Sequence, residues 1–511
     1  MALFSSMFWF VLAGSLTLAV GTVNTLIALV LSVVVFGGIN YLITRQAAAS
    51  GLTVVAYSRV VFGNVGSRIA AAVYAATAIY FTVFEGSVIA IGFREYFQAL
   101  PLNFWYAVVI LYSVPLIFGG VQRWLDRFNG VLLPFYLVGI VAAIVWTITE
   151  YGFHTDWLTY APAHPAAISG PGWWYAFTAF MGIWVIMLYT WDYARLSRPK
   201  DVKFHGTVTF GPVFYFATVF LNGVIGIFLA HTIPTPGGLS EASVVTGLVS
   251  LMGIAGLVLV WISQTRINTV NFYVASATVQ SLANRVLRRH VPRMLTTALV
   301  GVVVYLCMLA DVFSFLNDAL RYQGVVVVSW VCVLLVHGFS PTRRALGRAG
   351  QEFRVGRIPR FNGPGTLVWV VSSATGLLIL VEGGAFGTTW AAPITAVTAA
   401  VLYQVALLVS RDRPHWYALR RPHDPRDEVT DVWEDRVECA GCGRSYLALE
   451  MDRDPGRGHE PVCTACAESR PGHYRAALDE ARHTAPASPP PPPPGRTGPT
   501  VLIASTEENP Q

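Results

Sequence analysis

Charge is scarce in this sequence. Of its 511 residues only 13% are Asp, Glu, Lys or Arg, against about 25% in soluble domains. That scarcity excludes a fold whose whole surface faces water. Some loops lack positive charge altogether: residues 150–173, 232–242 and 383–388 contain no Lys or Arg. Cysteine is rare too, with six in all, and Cys307 and Cys332 stand singly in apolar stretches, where a thiol packs as a small hydrophobe. No basic leader precedes the first apolar block, so no cleavable signal peptide is expected. The apolar stretches hold no nucleophile–base pair, phosphate loop or open metal site, which argues against an enzyme.

What is present is apolar. Hydrophobic residues make up 54% of the chain and the mean hydropathy is +0.53. They fall in blocks at roughly 3–20, 23–44, 68–93, 104–121, 129–149, 174–192, 208–231, 243–272, 294–312, 323–339, 365–382 and 389–409. A bilayer crossing needs about 20 residues, so the expectation is an all-α polytopic membrane protein with twelve spans. Loops after even-numbered spans carry Arg45 and Arg59; Arg123 and Arg127; Arg195, Arg198, Lys200 and Lys203; Arg285, Arg288, Arg289 and Arg293; and Arg343, Arg344, Arg348, Arg354, Arg357 and Arg360. Odd-numbered spans are followed by loops with no more than Arg94 and Arg321. The positive-inside rule then places both termini in the cytoplasm. The net charge of +6 sits in these loops, so no nucleic-acid partner is expected; the bilayer and a small solute are.

An ionisable side chain at bilayer depth costs about 2.5–3.5 kcal/mol on insertion scales, so it faces a cavity or a partner. Two stand out: Glu85 in the third span and Arg266 in the eighth. At about 100° per residue, Gln264, Asn268 and Asn271 share one face of the eighth span while Arg266 and Tyr273 point away. A helix polar on two sides suits one that lines a site. The structural alternatives are that Glu85 and Arg266 pair with each other, or that Arg266 snorkels to the interface. Aromatics crowd the third and sixth spans: Tyr80, Phe81, Phe84, Trp173, Trp174, Trp184, Tyr189 and Trp191. Trp173 and Trp174 fit an interfacial belt. Trp184 follows Gly182 in mid-span, where a helix break is expected, and is a candidate for stacking on a planar solute.

Three motifs together resemble the nucleobase–cation symporter family of cytosine, uracil, allantoin and hydantoin permeases. Arg59, Phe62, Gly63 and Gly66 are similar to its R-x-x-F-G-x-x-G signature. Asp192-Tyr193-Ala194-Arg195 resembles D-[YF]-x-R, and Asn271-Phe272-Tyr273 with Ala275-Ser276 resembles N-L-Y-x-A-S. The resemblance covers roughly residues 1–410. It implies a LeuT-type fold: two inverted five-helix repeats, about 1–150 and about 170–340, plus two further helices over 365–409. It also implies a permease for a small nitrogen-containing heterocycle such as a nucleobase, hydantoin, allantoin or related vitamin. Counted from Gly63, the family's stacking Trp falls on Phe81 and its substrate-binding Gln on Glu85. Its second stacking Trp falls on Ile183, one residue short of Trp184, and Trp184 is preferred. Its substrate-binding Asn falls on Asn271, with Asn268 on the same face. The two hydroxyl ligands of its sodium site fall on Thr265 and Arg266. A fixed guanidinium there repels sodium and supplies its charge, so sodium-independent transport, by proton coupling or exchange, is expected. The first helix begins almost at Met1 where the family has a leader, so the translated start is expected upstream, and contacts near Gly14 and Ser15 are left unassigned.

After residue 410 the composition changes to a charged linker over 411–435 and a cysteine-bearing stretch over 436–470. A Pro-rich tail over 471–511 is expected to be disordered. Cys439, Cys442, Cys463 and Cys466 give C-x2-C-x20-C-x2-C, a zinc-ribbon-like spacing that closes a four-thiolate structural site and leaves no open position for catalysis. A reducing cytosol argues against disulfides; a redox pair is the alternative. His459 is expected to be a solvated loop residue. Regulation or binding of a cytoplasmic protein is the expected use of this module, and a rival overall reading is a transporter-like membrane sensor that signals through it. No organic cofactor is expected.

Overall fold

A computed structural model describes residues 2–118, 121–234, 243–287, 291–310, 316–341, 352–419, 421–431 and 434–483. The expected positive charges Arg288, Arg289, Arg343, Arg344 and Arg348, the side chain of Arg123, and the Pro-rich tail from 484 onward lie outside the described residues.

The chain is all-α through residue 409. A short turn at Ala2–Ser5 leads into α1 (Phe8–Val20), followed by α2 (Thr22–Ser50), α3 (Val54–Phe97), α4 (Leu102–Phe118) and α5 (Val121–Tyr151). A bent pair, α6 (Gly172–Ala179) and α7 (Val185–Ala194), is joined by a 3-10 turn at Phe180–Ile183 and angled by 47°. The run Pro199–Thr232 contains two π turns and ends in α8 (Asn222–Thr232). Then come α9 (Ser243–Met252), α10 (Ile254–Leu287), α11 (Arg293–Leu309), α12 (Leu316–Phe339), α13 (Gly363–Glu382) and α14 (Gly384–Val409). Seven described helices are long and apolar enough to cross a membrane, eight with the bent pair, and four shorter apolar helices of 10–17 residues accompany them. That criterion does not by itself reach the expected twelve.

The pattern of exposure is a membrane protein's. Val23, Val30 and Val34 on α2 and Val138, Val141 and Val145 on α5 are exposed, whereas Ser32 and Asn40 of α2 are fully buried. Valines outside and hydroxyls inside is the arrangement expected when the solvent is hydrocarbon. The most extensive helix pair is α3 with α10, which sets the two helices carrying intramembrane charge side by side.

The first motif has a structural reason. Gly63 interrupts α3 with φ 82 and ψ 176, a backbone region open in practice only to glycine. A Cβ there would lie 2.6 Å from Phe361 Cα and Asn362 N. The break admits the segment leading into α13: Asn64 N donates to Pro359 O, Val65 N to Arg360 O, and Asn362 N to Phe62 O. Arg59 donates to Phe353 O at 2.7 Å. Asp192, from the second motif, accepts from Val54 N at 2.8 Å and from Tyr74 Oη at 3.1 Å, so its carboxylate sits at the positive start of α3.

The tail forms a small module of two hairpins and two helices. Strand β1 (Arg436–Glu438) pairs antiparallel with β2 (Ser445–Leu447), and β3 (Met451–Asp454) with β4 (Glu460–Cys463). Helices α15 (Thr464–Ser469) and α16 (His473–His483) follow. Order therefore continues past 470: residues 473–483, expected to be disordered, are helical because α16 docks by its charges. Glu480 accepts from Arg357 at 2.8 Å, and His459, expected to be solvated, pairs with Glu480 at 2.6 Å. The linker is likewise held. Tyr417 and Leu419 are buried, and Arg421 pairs with Glu352 at 2.9 Å and Asp424 at 2.6 Å.

Candidate functional site

Between α1, α3, the α6–α7 bend and α10 lies a cavity lined by Ser6, Trp9, Phe81, Glu85, Ile183 and Tyr189, with Asn271 on the α10 side. Its volume is about 20 Å³, room for one water molecule. A larger occupant requires the walls of this cavity to move apart.

Glu85 is 1% exposed and, among the described residues, takes neutral donors only. Ser6 Oγ donates to Oε1 at 2.7 Å, and Gln264 Nε2 donates to Oε2. Both donors come from positions the fold makes available. Ser6 sits where the chain unwinds between the turn at Ala2–Ser5 and α1. That unwound stretch is stitched to α10: Met7 N donates to Gln264 Oε1 at 3.0 Å, and Ser263 Oγ donates to Ser5 O. Non-helical backbone at membrane depth is tolerated where it lines a cavity and is satisfied by neighbours, and both conditions hold here.

The two charges are not each other's partners. Arg266 is fully buried and sends Nε to Asn129 O of α5 at 3.1 Å, not to Glu85. The mutual-pairing alternative therefore does not apply. Thr265 turns the other way, its Oγ1 2.9 Å from Tyr112 Oη of α4. Thr265 and Arg266, expected to share the ion-site position, therefore face different helices and do not converge.

Of the expected substrate-binding residues, Phe81, Glu85 and Asn271 meet at the cavity. Asn271 Oδ1 accepts from Tyr189 Oη at 3.3 Å. Asn268 is buried beside Gly86, and its amide atoms make no hydrogen bond among the described residues. Trp184 is not among the residues lining this cavity: the ungapped position, Ile183, lines it, while Trp184 packs edge-on against Phe36 of α2 with centroids 5.7 Å apart. The 3-10 turn ending at Ile183 rotates the next residue off the cavity wall. Sequence reasoning missed Ser6 and Trp9. The signal available was the polar pair Ser5-Ser6 directly before an apolar block beginning with aromatics.

The second cluster lies in the tail module. The sulfurs of Cys439, Cys442, Cys463 and Cys466 all fall within 4.8 Å of one another. Tetrahedral thiolate coordination at about 2.3 Å per bond places sulfurs roughly 3.8 Å apart; Cys442 and Cys463 are 3.9 Å apart. None of the four is in a disulfide. Backbone donors serve the sulfurs, with Cys463 N 3.2 Å from Cys439 Sγ and Cys466 N 3.5 Å from Cys463 Sγ. Burial alone would raise the Cys439 thiol, but backbone N–H groups of Cys463, Gly441 and Cys442 bring it down to about 6. The donor set and spacing fit a structural metal.

No family model and no curated protein matches the chain in sequence. Solved structures do. One is Mhp1, a nucleobase-cation-symport-1 family transporter, in a closed conformation with bromovinylhydantoin bound. It aligns with TM-score 0.63 at 16% identity, over 81% of this chain and 94% of that one. The inward-facing conformation of Mhp1 aligns with TM-score 0.64 at 15% identity, over 83% and 93%. At such identity the likeness is one of fold: this chain has the all-α fold of a membrane transporter, and it is an integral multi-pass membrane protein.

Proposed function

We propose that this chain is a secondary transporter for a small, planar, nitrogen-containing heterocycle such as a nucleobase, hydantoin, allantoin or related vitamin. The observation that carries the reading is Glu85, a carboxylate buried on a cavity wall and satisfied by exchangeable neutral donors. A heterocycle with adjacent N–H groups can replace Ser6 and Gln264 as donor, and hydrogen bonds to a charged acceptor are roughly twice as strong as neutral ones. Phe81 and Trp9 supply aromatic faces for the ring, with Trp9 taking the place expected of Trp184. Asn271, released from Tyr189, reads a second polar edge. Opening this cavity needs the unwound stretch before α1 and the α6–α7 bend to shift, and broken helices around a midplane site are how such folds alternate access.

Arg266 supplies a fixed positive charge beside the core of α10, and sodium-independent transport, by proton coupling or exchange, follows from it. Both termini lie in the cytoplasm, on the side of the arginine-rich loops, and the four cysteines hold a structural zinc ion. Thermal shift of the purified protein tests the reading against nucleobases, hydantoins, allantoin and cationic vitamins, with and without sodium. A ligand at a hundred times its dissociation constant stabilises by about 2.7 kcal/mol. A planar nitrogenous hit that ignores sodium supports it; no hit, or one that requires sodium, overturns it.

A further inference from the structure

A second cavity, of about 1160 Å³, lies where the tail module meets the arginine-rich end of the core. Its walls come from three parts of the chain: the α2–α3 connection and start of α3, the ends of α7 and α10, and the face of the module formed by β2 and α15. Ligand sites of small molecules occupy about 300–1,000 Å³, so this one is roomy and open to solvent.

Its charge is one-sided. Among the described residues, Arg59, Arg68, Arg195, Arg285 and Arg444 line it against Glu450 and Glu468. Glu468 is engaged by Arg68. Arg59 is 8% exposed and commits Nη1 to Phe353 O, yet its Nε is buried with no hydrogen bond among the described residues. The Nε atoms of Arg68 and Arg195 are in the same condition. Those Nε atoms face protein, not the open space, so it is the lining charge that calls for an anion: several guanidinium groups around one space cost repulsion, and an anion bearing several oxygens relieves it.

We infer that this cavity binds a phosphate-bearing anion, which bridges arginines of the membrane core to Arg444 of the module. Phosphate fits better than a carboxylate because the donors approach from three sides, and only a tetrahedral group offers oxygens in all those directions. The phosphate comes either from a soluble molecule or from a lipid headgroup at the membrane surface. The inference does not depend on the transport reading, since no residue of the Glu85 cavity takes part.

The test uses the full-length protein with its metal. Pyrophosphate is titrated calorimetrically at low ionic strength in detergent. In parallel, melting is compared in nanodiscs of phosphatidylcholine alone and with added phosphatidylglycerol. The variants are Arg285→Gln, Arg444→Gln and the pair together, each checked for an unchanged melting temperature in the absence of anion. The expected result is saturable binding, weakened at least tenfold in the double variant and by added salt. A response to pyrophosphate assigns a soluble ligand; stabilisation by phosphatidylglycerol alone assigns a lipid. No response to either, or binding equal in wild type and double variant, overturns the inference.

Discussion

The molecule treats buried charge in two ways. In the tail module, Arg357 is fully buried and is matched by Asp452 at 2.9 Å, Glu480 at 2.8 Å and the Arg453 carbonyl. In the membrane core, Glu85 is equally buried but is held by a serine and an amide. A buried ion with counter-ions on every side is a lock, because removing one partner strands the others. A buried carboxylate held by neutral donors can exchange those donors for a ligand's or accept a proton. Where the fold needs permanence it supplies opposite charge; where it needs turnover it supplies dipoles.

The sharpest way to break this contrast is at the metal. Structural zinc contributes about 10–16 kcal/mol to small zinc folds, so chelation should melt the module. Hydrogen exchange should then show β1–β4 and α15 losing protection while the α3 and α10 amides keep theirs. Elemental analysis should find one zinc per chain before treatment.

Next in size is Arg357→Ala. Breaking a buried pair from one side costs about 3–5 kcal/mol, read as release of the module to limited proteolysis. The same contact sets a pH response. Burial would raise the Asp452 carboxyl, but the His473 ring 3.6 Å away and the charges of Arg357 and Arg421 hold it well below the usual carboxylate range. A depressed pKa contributes stability above the unfolded value of about 4 and loses it as pH falls further. The Asp452 contribution to docking should therefore be constant near neutrality and fade only in strong acid.

Glu85→Gln comes third. Hydrogen bonds to charged groups contribute about 1.5–3 kcal/mol, so heterocycle binding should weaken by roughly tenfold to a hundredfold. Melting without ligand should change little, since an amide still fits between Ser6 and Gln264. The smallest effect separates the two tryptophans. Trp9→Ala should cost binding the about 0.5–1.5 kcal/mol of a lost aromatic contact, whereas Trp184→Ala should lower stability and leave binding nearly unchanged.

Much of this was readable from the chain. Charge alternation among loops and the apolar blocks announce a polytopic membrane protein, Glu85 stood out as an intramembrane charge, and Phe81 and Asn271, placed by the family resemblance, line the same cavity. The bend after Gly182 was also legible, but which residue it turns inward was not. A 3-10 turn shifts the register by a fraction of a residue, and that fraction exchanges Trp184 for Ile183. Ser6 was hidden because an unwound segment has no periodicity to read, and Trp9 because α1 is apolar on every side and marks no face. The docking of the tail was hidden for another reason: Arg357 and Asp452 are ordinary surface residues by sequence, and only their meeting buries them.

The central claim is tested most directly by radiolabelled uptake into proteoliposomes, using the heterocycle that gives the largest thermal shift. The account predicts saturable uptake that persists when sodium is replaced by choline and falls sharply in Glu85→Gln. Ligand binding without net uptake would contradict it and make the chain a sensor; uptake that requires sodium would contradict the role given to Arg266.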